Sequence, residues 1–307
     1  MASVAVLIPC YNEAVAIGQT VSGIAAALPE ARIYVYDNNS TDGTAEVAAS
    51  AGAIVRHETL QGKGNVVSRM FADIEADMYL LIDGDATYDP TDAPRMIELM
   101  QEKRLDFVNG VRVVEGDGEF RSGHRFGNAL FTRTVARVFG NGVDDMLSGY
   151  KLFSHRFVKS FPALSTGFEI ETELVVHALE LRMPMAQVET RYSARPEGST
   201  SKLSTVRDGL RIGLAIGKLV RDERPLPFFL VVALAFAVLS VAFALPVLAE
   251  FYRTGLVPRF PTFILSTTLM VVALLNITCG LILDTITRSR REIKRLAYLR
   301  LSPPGQE

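Results

Sequence analysis

Tryptophan is absent from this chain of 307 residues, and cysteine and histidine are scarce. The two cysteines, Cys10 and Cys279, lie far apart in the sequence and in different surroundings, so no disulfide framework is expected. The four histidines share no spacing typical of metal ligands, which argues against a zinc site. A sequence without a disulfide pattern is compatible with a reducing compartment.

A basic excess is also missing. The net charge is −2, although residues 250–307 carry eight Lys or Arg against four Asp or Glu. The body of the chain is therefore acidic and only its C-terminal part is basic, which is unlike a nucleic-acid-binding domain. A basic end of this kind suits contact with anionic lipid. We expect no nucleic-acid partner.

The first residues lack the features of a secretory signal. They contain no basic segment, and their apolar run of about five residues is shorter than that of a signal peptide. We therefore expect the body to stay in the compartment where it is made.

Charge is missing altogether from two runs near the C-terminus, residues 228–249 and 260–283. As helices, their 22 and 24 residues are long enough to cross the ~30 Å hydrocarbon core of a membrane. The short linker between them predicts a transmembrane hairpin over residues 227–284. Lys and Arg are more frequent on both flanks than in the linker, so we expect the body and a basic tail, residues 285–307, on the cytoplasmic side. An exposed hairpin could also join copies of the chain into a homo-oligomer.

Residues 203–226 precede the hairpin and show the pattern of an amphipathic juxtamembrane helix. Leu203, Val206, Leu210 and Leu214 fall roughly on one helical face, with basic residues interspersed. Such a helix either packs on the body or lies in the membrane interface, and the sequence leaves both alternatives open.

Residues 1–202 alternate strand-like and helix-like segments. Apolar runs predict strands at Val4–Cys10, Arg32–Asp37, 53–57, 78–83 and 106–110. The alternation predicts an α/β fold with a mostly parallel sheet, in which ligands bind beyond the carboxyl ends of the strands. The polar residues expected at that edge are Tyr11, Glu13, Asp37, Asn39, Lys63, Asp83, Asp85 and Arg112.

The motif Asp83-Gly84-Asp85 follows one of these apolar strands. Two carboxylates separated by one glycine can face the same hard cation, and Mg²⁺ or Mn²⁺ prefers a few carboxylates together with phosphate oxygens. Such an ion would neutralise the charge that develops on a departing diphosphate. An Asp-x-Asp turn with solvated acids is the alternative, but its place beside Asp37 and Lys63 favours a metal site.

Arginines alternate with glycines between residues 112 and 137. Guanidinium groups bind phosphate through two hydrogen bonds, so a glycine-rich segment of this kind can fold over an anion. We predict that Arg112, Arg121 and Arg125 bind the phosphate of an acceptor. Arg133 and Arg137 fit a solvated helix face equally well.

Several motifs occur in the order typical of a known family. They are Ile8-Pro9-Cys10-Tyr11-Asn12-Glu13, Asp37-Asn38-Asn39-Ser40-Thr41-Asp42-Gly43-Thr44, Gly62-Lys63-Gly64 and Asp83-Gly84-Asp85. Together they resemble the signature of family 2 glycosyltransferases with the GT-A fold. Ser148-Gly149-Tyr150 and residues 195–203 resemble the polyprenyl-phosphate branch, which includes dolichyl-phosphate mannose synthase and bactoprenol glycosyltransferases. The resemblance covers about residues 3–205.

This resemblance implies a nucleotide-sugar donor, UDP- or GDP-linked, and assigns its contacts by position. Pro9, Tyr11, Glu13 and Asp37 would contact the nucleoside, and Lys63 would help to frame its pocket. Two of these residues also have simpler interpretations. Glu13 could be a charge at a helix start, and Lys63 could lie in a solvated loop.

The resemblance also implies the catalytic group. Asp83 would lie by the ribose or the diphosphate and contribute to the metal site, and Asp85 would bind the metal. Arg195 and Lys202 would lie over phosphate groups of the donor or the acceptor. We therefore predict Asp83, Asp85, Arg195 and Lys202 as catalytic residues.

Three features depart from the pattern or leave alternatives. Thr87 stands where mannose-synthase relatives carry a glutamine, and the segment 195–203 is one residue longer than the shorter form. Both differences leave the sugar open. The family pattern places one acid near the donor sugar, either Glu169 or Glu171, but carboxylates at a helix start are favourable without any such role.

The resemblance implies a polyprenyl phosphate, undecaprenyl or dolichyl, as the acceptor. A hydroxyl acceptor needs a general base, whereas a phosphate monoester with a second pKa of about 6 is already mostly a dianion at neutral pH. The expected reaction is an in-line displacement with inversion at the anomeric carbon.

Other functions remain as alternatives. A processive polysaccharide synthase of the same superfamily is excluded, because its Gln-x-x-Arg-Trp motif needs a tryptophan. A glycosyltransferase that acts on a hydroxyl of a membrane glycolipid stays open, as does a non-catalytic membrane scaffold.

Overall fold

The computed structural model of the protein describes residues 2–114, 143–167, 169–196, 217–218 and 221–304. The chain forms two compact units. The first contains residues 1–212 together with 293–307, and the second contains residues 213–292. The first unit carries an α/β sheet, and long apolar helices dominate the second.

The first unit is organised around one sheet. Its strands are β1 (Val4–Cys10), β2 (Arg32–Asp37), β3 (Ile54–His57), β4 (Met78–Leu81), β5 (Phe107–Val114), β6 (Lys151–Ser154) and β7 (Met185–Tyr192). Their order across the sheet is β3-β2-β1-β4-β6-β5-β7. Among the strands of the described residues, only β6 is antiparallel to its neighbours, β4 and β5, so the other six point the same way.

Helices connect most of these strands. In the first unit they are α1 (Ile17–Ala27), α2 (Thr44–Ser50), α3 (Lys63–Asp73), α4 (Ala93–Lys103), α5 (His155–Ser160) and α6 (Ile170–Leu181). Two longer helices follow, α7 (Pro225–Thr254) and α8 (Phe260–Leu299). The last turns of α8, from Ile293 onward, belong to the first unit.

The mostly parallel sheet predicted from the sequence is confirmed, and so are all five predicted strands. β1 and β2 have the predicted bounds, β4 ends two residues earlier, and β5 continues to Val114. The sequence analysis did not identify β6 and β7. The strand β6 has only four residues, of which two are apolar, and so short a segment carries no periodicity that reveals a strand or its direction.

The hydrophobic core of the first unit lies between α1 and the sheet. On α1, Ile17, Val21 and Ile24 fall on one helical face and are fully buried against the sheet. The inner strand β1 contributes Val6 and Ile8 to the same core, and its continuous apolar run reflects cover on both faces. Each such side chain contributes roughly 1.5–3 kcal/mol on burial.

The second unit contains a seam of small side chains at seven-residue intervals. The buried positions are Ala233, Ser240 and Val247 on α7, and Ser266, Ala273, Gly280 and Thr287 on α8. A repeat of seven is typical of two helices that wrap around each other, and small residues allow close approach. The Ser240 hydroxyl donates to the carbonyl oxygen of Ser266 at 2.7 Å. Both helices are long and apolar enough to cross a membrane.

Candidate active site

The chain leaves β4 at the edge of the sheet where β1 and β2 also end. The Asp83-Gly84-Asp85 motif begins two residues after β4. Gly84 lies so close to the end of β1 that a Cβ there would be 2.6 Å from the Cys10 Sγ atom. Cys10 is in turn the strand partner of Asp37 on β2. Close packing of strand ends therefore gathers the acidic residues predicted at this edge.

Lys63 binds two carboxylates from distant parts of the chain. Its Nζ donates to Asp83 Oδ1 at 2.6 Å and also to Glu171 Oε1. The lysine side chain is only 9% exposed, so the alternative of a solvated loop residue is wrong. Burial disfavours the charged lysine, but Asp83 and Glu171 outweigh this and raise the pKa of Lys63 above its ordinary value. Lys63 also keeps the pKa of Asp83 low, against the effect of burial.

The start of α3, which carries Lys63, is held by a second loop. A Cβ on Gly64 would lie 2.0 Å from the carbonyl oxygen of Ser165, and one on Gly62 would lie 2.2 Å from that of Thr166. The Gly64 amide donates to the Thr166 carbonyl at 3.1 Å. Glu173 on α6 accepts from the Ser165 amide at 2.9 Å. The two glycines therefore permit the close contact that fixes the lysine.

Asp85 is buried, with 4% of its surface exposed. Its Oδ1 accepts from the hydroxyl and the amide of Thr87, at 2.6 and 3.2 Å, and its Oδ2 lies 2.7 Å from Arg195 Nη2. Burial, together with the nearby charge of Asp83, raises the pKa of Asp85. Arg195 therefore compensates a carboxylate pair that is costly to keep ionised.

The donor set around Asp83 and Asp85 fits Mg²⁺ or Mn²⁺. Both ions bind hard oxygen ligands, and Mg²⁺ in particular is held by one or two carboxylates with phosphate oxygens and water. Among the described residues, no cluster of three His, Cys, Asp or Glu side chains forms a complete cage. A site that is completed by a diphosphate matches this arrangement.

A loop of residues 145–149 lies against Asp83. A Cβ on Gly149 would be 2.1 Å from Asp83 Oδ2, so the loop backbone touches the carboxylate. The Gly149 amide donates to the hydroxyl of Tyr88 at 2.6 Å, and the Asn109 amide group donates to the Asp145 carbonyl at 2.9 Å. Tyr88 is buried, and burial raises the pKa of its hydroxyl well above the ordinary value.

Lys151 also holds the 145–149 loop in place. It is completely buried at the start of β6, and its Nζ donates to the carbonyl oxygens of Met146, at 3.3 Å, and Ser148. Burial lowers the pKa of Lys151 to about 8, although Glu171 and Asp145 oppose the shift. A buried lysine that serves two backbone carbonyls makes the loop rigid.

Arg112, predicted to bind an acceptor phosphate, lies on β5 within this network. Its guanidinium pairs with Asp145 through two hydrogen bonds, at 2.7 and 2.8 Å, and stacks 5.4 Å from the centre of the Tyr192 ring. The arginine side chain is 18% exposed. Arg112 thus links the 145–149 loop to β7.

The predicted nucleoside contacts lie at the ends of β1 and β2. Asp37 is buried; its Oδ2 accepts from the Ser40 amide at 3.1 Å and lies 3.4 Å from His57 Nδ1. Within the described part of the chain, its Oδ1 has no hydrogen-bond partner. A buried carboxylate oxygen in that state can accept from a ligand N–H or O–H.

The neighbouring segments surround Asp37. Asn38 donates to the carbonyls of Glu58 and Leu60 at 2.8 and 2.9 Å, which ties β2 to the loop before Lys63. Pro9 lies within β1, and Tyr11 follows it with 38% of its surface exposed. Glu13 lies in the turn before α1, where its carbonyl accepts from the amides of Ala16 and Ile17 at 3.0 and 2.9 Å.

Other predicted residues fall outside the described part of the chain. They are Arg121, Arg125, Arg133, Arg137 and Lys202, and most of the predicted juxtamembrane helix 203–226 lies there too.

The structure also adds residues that sequence reasoning missed. Asp145 and Lys151 were not identified, although Ser148-Gly149-Tyr150 had marked the neighbouring loop. Glu171 had been only one of two candidate acids, and its contact with Lys63 spans more than a hundred residues of sequence. Charge pairs of that separation leave no local sequence signal.

Comparison with known proteins agrees with this geometry. The profile described as "Glycosyl transferase family 2" matches residues 5–161. Glycosyltransferase AglJ of Haloferax volcanii is 35% identical over 81% of this chain and 82% of its own length. The dolichyl-phosphate hexose transferase of the same organism is 27% identical over 72% of this chain and 95% of its own length.

Solved structures show the same fold. Glucosyl-3-phosphoglycerate synthase from Mycobacterium tuberculosis, in complex with Mn²⁺, UDP and glucosyl-3-phosphoglycerate, superposes with a TM-score of 0.58 and 22% identity. The alignment covers 71% of this chain and 79% of that one. The expected GT-A fold is confirmed, and with it the enzyme class: the chain is a glycosyltransferase that belongs to glycosyl transferase family 2.

Proposed function

We propose that this glycosyltransferase moves a sugar from a UDP- or GDP-linked donor to a polyprenyl phosphate, with inversion at the anomeric carbon. The observation that carries the proposal is the pairing of acids at the site. Among the described residues, Asp83 and Glu171 lie against Lys63, Asp85 against Arg195, and Asp145 against Arg112.

This pairing suits an acceptor that needs no deprotonation. Against the effect of burial, their cationic partners lower the pKa of Asp83 and Asp145, so these two carboxylates are weak bases, and Asp85 is the proposed metal ligand. A hydroxyl acceptor, in contrast, needs a base to remove its proton. A phosphate monoester attacks as a dianion and requires positioning and compensation of charge. The similarity to a dolichyl-phosphate hexose transferase supports a lipid phosphate, and the two apolar helices fit a lipid-linked acceptor.

The donor would bind along the edge formed by β1, β2 and β4. The available Oδ1 of Asp37 would accept a hydrogen bond from the nucleoside, beside Pro9, Tyr11 and Glu13. Lys63 would hold Asp83 in place beside the diphosphate.

Asp83 and Asp85 would hold a Mg²⁺ or Mn²⁺ ion, which supplies neutralisation of negative charge on the diphosphate. Arg195, now against Asp85, would then turn to a phosphate group. Lys202, Arg121 and Arg125 remain predicted phosphate contacts, and Arg112 would act through the Asp145 loop and its partly exposed guanidinium.

The protein would be an integral membrane enzyme. The helices α7 and α8 would form the hairpin, with the catalytic body and the C-terminus on the cytoplasmic side, as the distribution of Lys and Arg suggests. Hairpins of separate copies could pack together as a homo-oligomer.

A donor screen tests the proposal. Purified chain in detergent is incubated with undecaprenyl phosphate, Mn²⁺ and a panel of UDP- and GDP-sugars, and the lipid products are identified by mass. One donor should give a lipid whose mass increases by one sugar residue, with release of UDP or GDP. Nucleotide release with the sugar on water alone, or on a lipid hydroxyl, would overturn the proposed acceptor.

A further inference from the structure

The C-terminal end of α8 contacts the body at a buried carboxylate far from the active edge. Asp106 lies just before β5, whereas the active site lies beyond the carboxyl ends of the parallel strands, and Asp106 has no exposed surface. The hydroxyl of Tyr298 donates to Asp106 Oδ2 at 2.7 Å. Tyr298 is 9% exposed, so the contact is part of the folded interior.

Arg156 completes this cluster. Its Nε and Nη2 donate to the two oxygens of Asp106, at 2.5 and 2.6 Å, and its guanidinium lies 4.6 Å from the centre of the Tyr298 ring. Ser154 donates to Asp106 Oδ1 at 2.7 Å. A buried carboxylate must be matched by donors, and Tyr298 is the donor that comes from outside the body's own strands and helices.

A second contact lies one turn earlier on α8. Lys294 Nζ is 3.1 Å from Glu180 Oε2 on α6, with side-chain exposures of 11% and 1%. Removing one partner of such a buried pair is far more damaging than removing an exposed one. Both contacts lie inside the compact unit formed by residues 1–212 and 293–307.

We propose that residues 293–304 are a C-terminal strap that completes the catalytic domain, with Asp106 and Glu180 as its two docking points. The domain is then built from two stretches of sequence separated by the apolar helices. The chain runs from the domain into the apolar helices and returns to it through the strap. After a cut before α7, the two contacts of the strap would still join the domain to the end of α8. This inference does not depend on the identity of the acceptor.

The test cleaves the full-length chain at a single position before α7. A protease site is inserted between Gly217 and Lys218, a tag is placed at the C-terminus, and the purified protein is cleaved in detergent and captured on the tag. The N-terminal fragment should remain bound to the tagged fragment. In a chain that also carries Lys294→Glu and Tyr298→Ala, it should dissociate about 100-fold faster.

Two further variants distinguish loss of the strap contacts from a general folding defect. The charge exchange Glu180→Lys with Lys294→Glu should restore much of the retention that Lys294→Glu alone loses, which a general folding defect would not do. Tyr252→Ala, at a residue 84% exposed, is the matched control and should behave as the unaltered chain. Loss of the N-terminal fragment from the unaltered nicked chain, or equal retention by all variants, would overturn the proposal.

Discussion

Gly149 touches the carboxylate of Asp83 so closely that a Cβ at this position would lie 2.1 Å from Oδ2. The loop that carries Gly149 is held by Tyr88, Asn109 and Lys151, so it cannot move aside at low cost. Asp83 is therefore fixed between Lys63 on one side and backbone on the other. The position of this carboxylate depends on an element some sixty residues later in the chain.

Gly149→Ala should displace Asp83 and lower kcat/KM about 100-fold, because shifts near 1 Å at a reacting centre cost that much. Overpacking should also cost about 1–3 kcal/mol of unfolding free energy. Kinetics with the selected donor and thermal melting measure the two effects. Gly217→Ala is the control, since no atom of the residues that the structure describes lies within 4 Å of a Cβ there. Full activity of Gly149→Ala would contradict the fixed placement of Asp83.

Asp85→Asn should reduce turnover by about 100-fold or more, because a bound metal contributes several kcal/mol of charge stabilisation in the transition state. The melting temperature should stay close to that of the unaltered chain. Mn²⁺-dependent binding of the nucleoside diphosphate, measured by calorimetry, should weaken in parallel. Asp77→Asn, one residue before the opposite end of β4, is the matched control. Unchanged Mn²⁺-dependent binding in Asp85→Asn would exclude Asp85 as a ligand.

The buried histidine His177 should make the folded chain less stable in acid. Burial lowers the pKa of this histidine from about 6.5 to about 3, so below pH 6.5 the unfolded chain binds a proton that the folded chain does not. The free energy of unfolding should therefore fall between pH 6.5 and 3, by up to about 1.4 kcal/mol per pH unit. His177→Gln should flatten this part of the profile. Parallel profiles for the two chains would show that His177 titrates normally.

Ser240→Leu should force α7 and α8 apart, because Ser240 is 3% exposed at the seam of small residues. We expect the free energy of unfolding to fall by about 1–3 kcal/mol. Thermal melting, followed by the helical circular dichroism signal in one detergent, measures this loss. Val238→Leu, at a residue 61% exposed, should have no effect. Equal melting of both variants would mean that the seam is not tightly packed.

Much of the proposed donor site, at the edge formed by β1, β2 and β4, could be predicted because its residues lie at or after the ends of strands. Asp37 ends β2, and Asp83 and Asp85 follow β4, so the geometry of a parallel sheet brings these three residues together. Lys63 begins α3, in the connection that follows β3. Their pairing with charges could not be predicted. Arg195 and Glu171 reach the site from more than a hundred residues away, and no local pattern encodes such contacts.

The C-terminal strap shows a second limit of sequence reasoning. Residues 285–307 were predicted to be a basic cytoplasmic tail, and that prediction used the distribution of Lys and Arg. In the structure α8 continues to Leu299, and Lys294 and Tyr298 pair with buried acids of the body. Specific partners of this kind are invisible to composition.

The central claim is that the acceptor nucleophile is an already ionised lipid phosphate, and a matched pair of acceptors tests it most directly. Transfer from the selected donor is measured with undecaprenyl phosphate and with undecaprenol, at the same chain length, detergent and Mn²⁺ concentration. The account predicts a glycosylated lipid only from the phosphate, with the sugar on a phosphoryl oxygen and all transfer abolished by a chelator. Equal or faster transfer to the alcohol would contradict it.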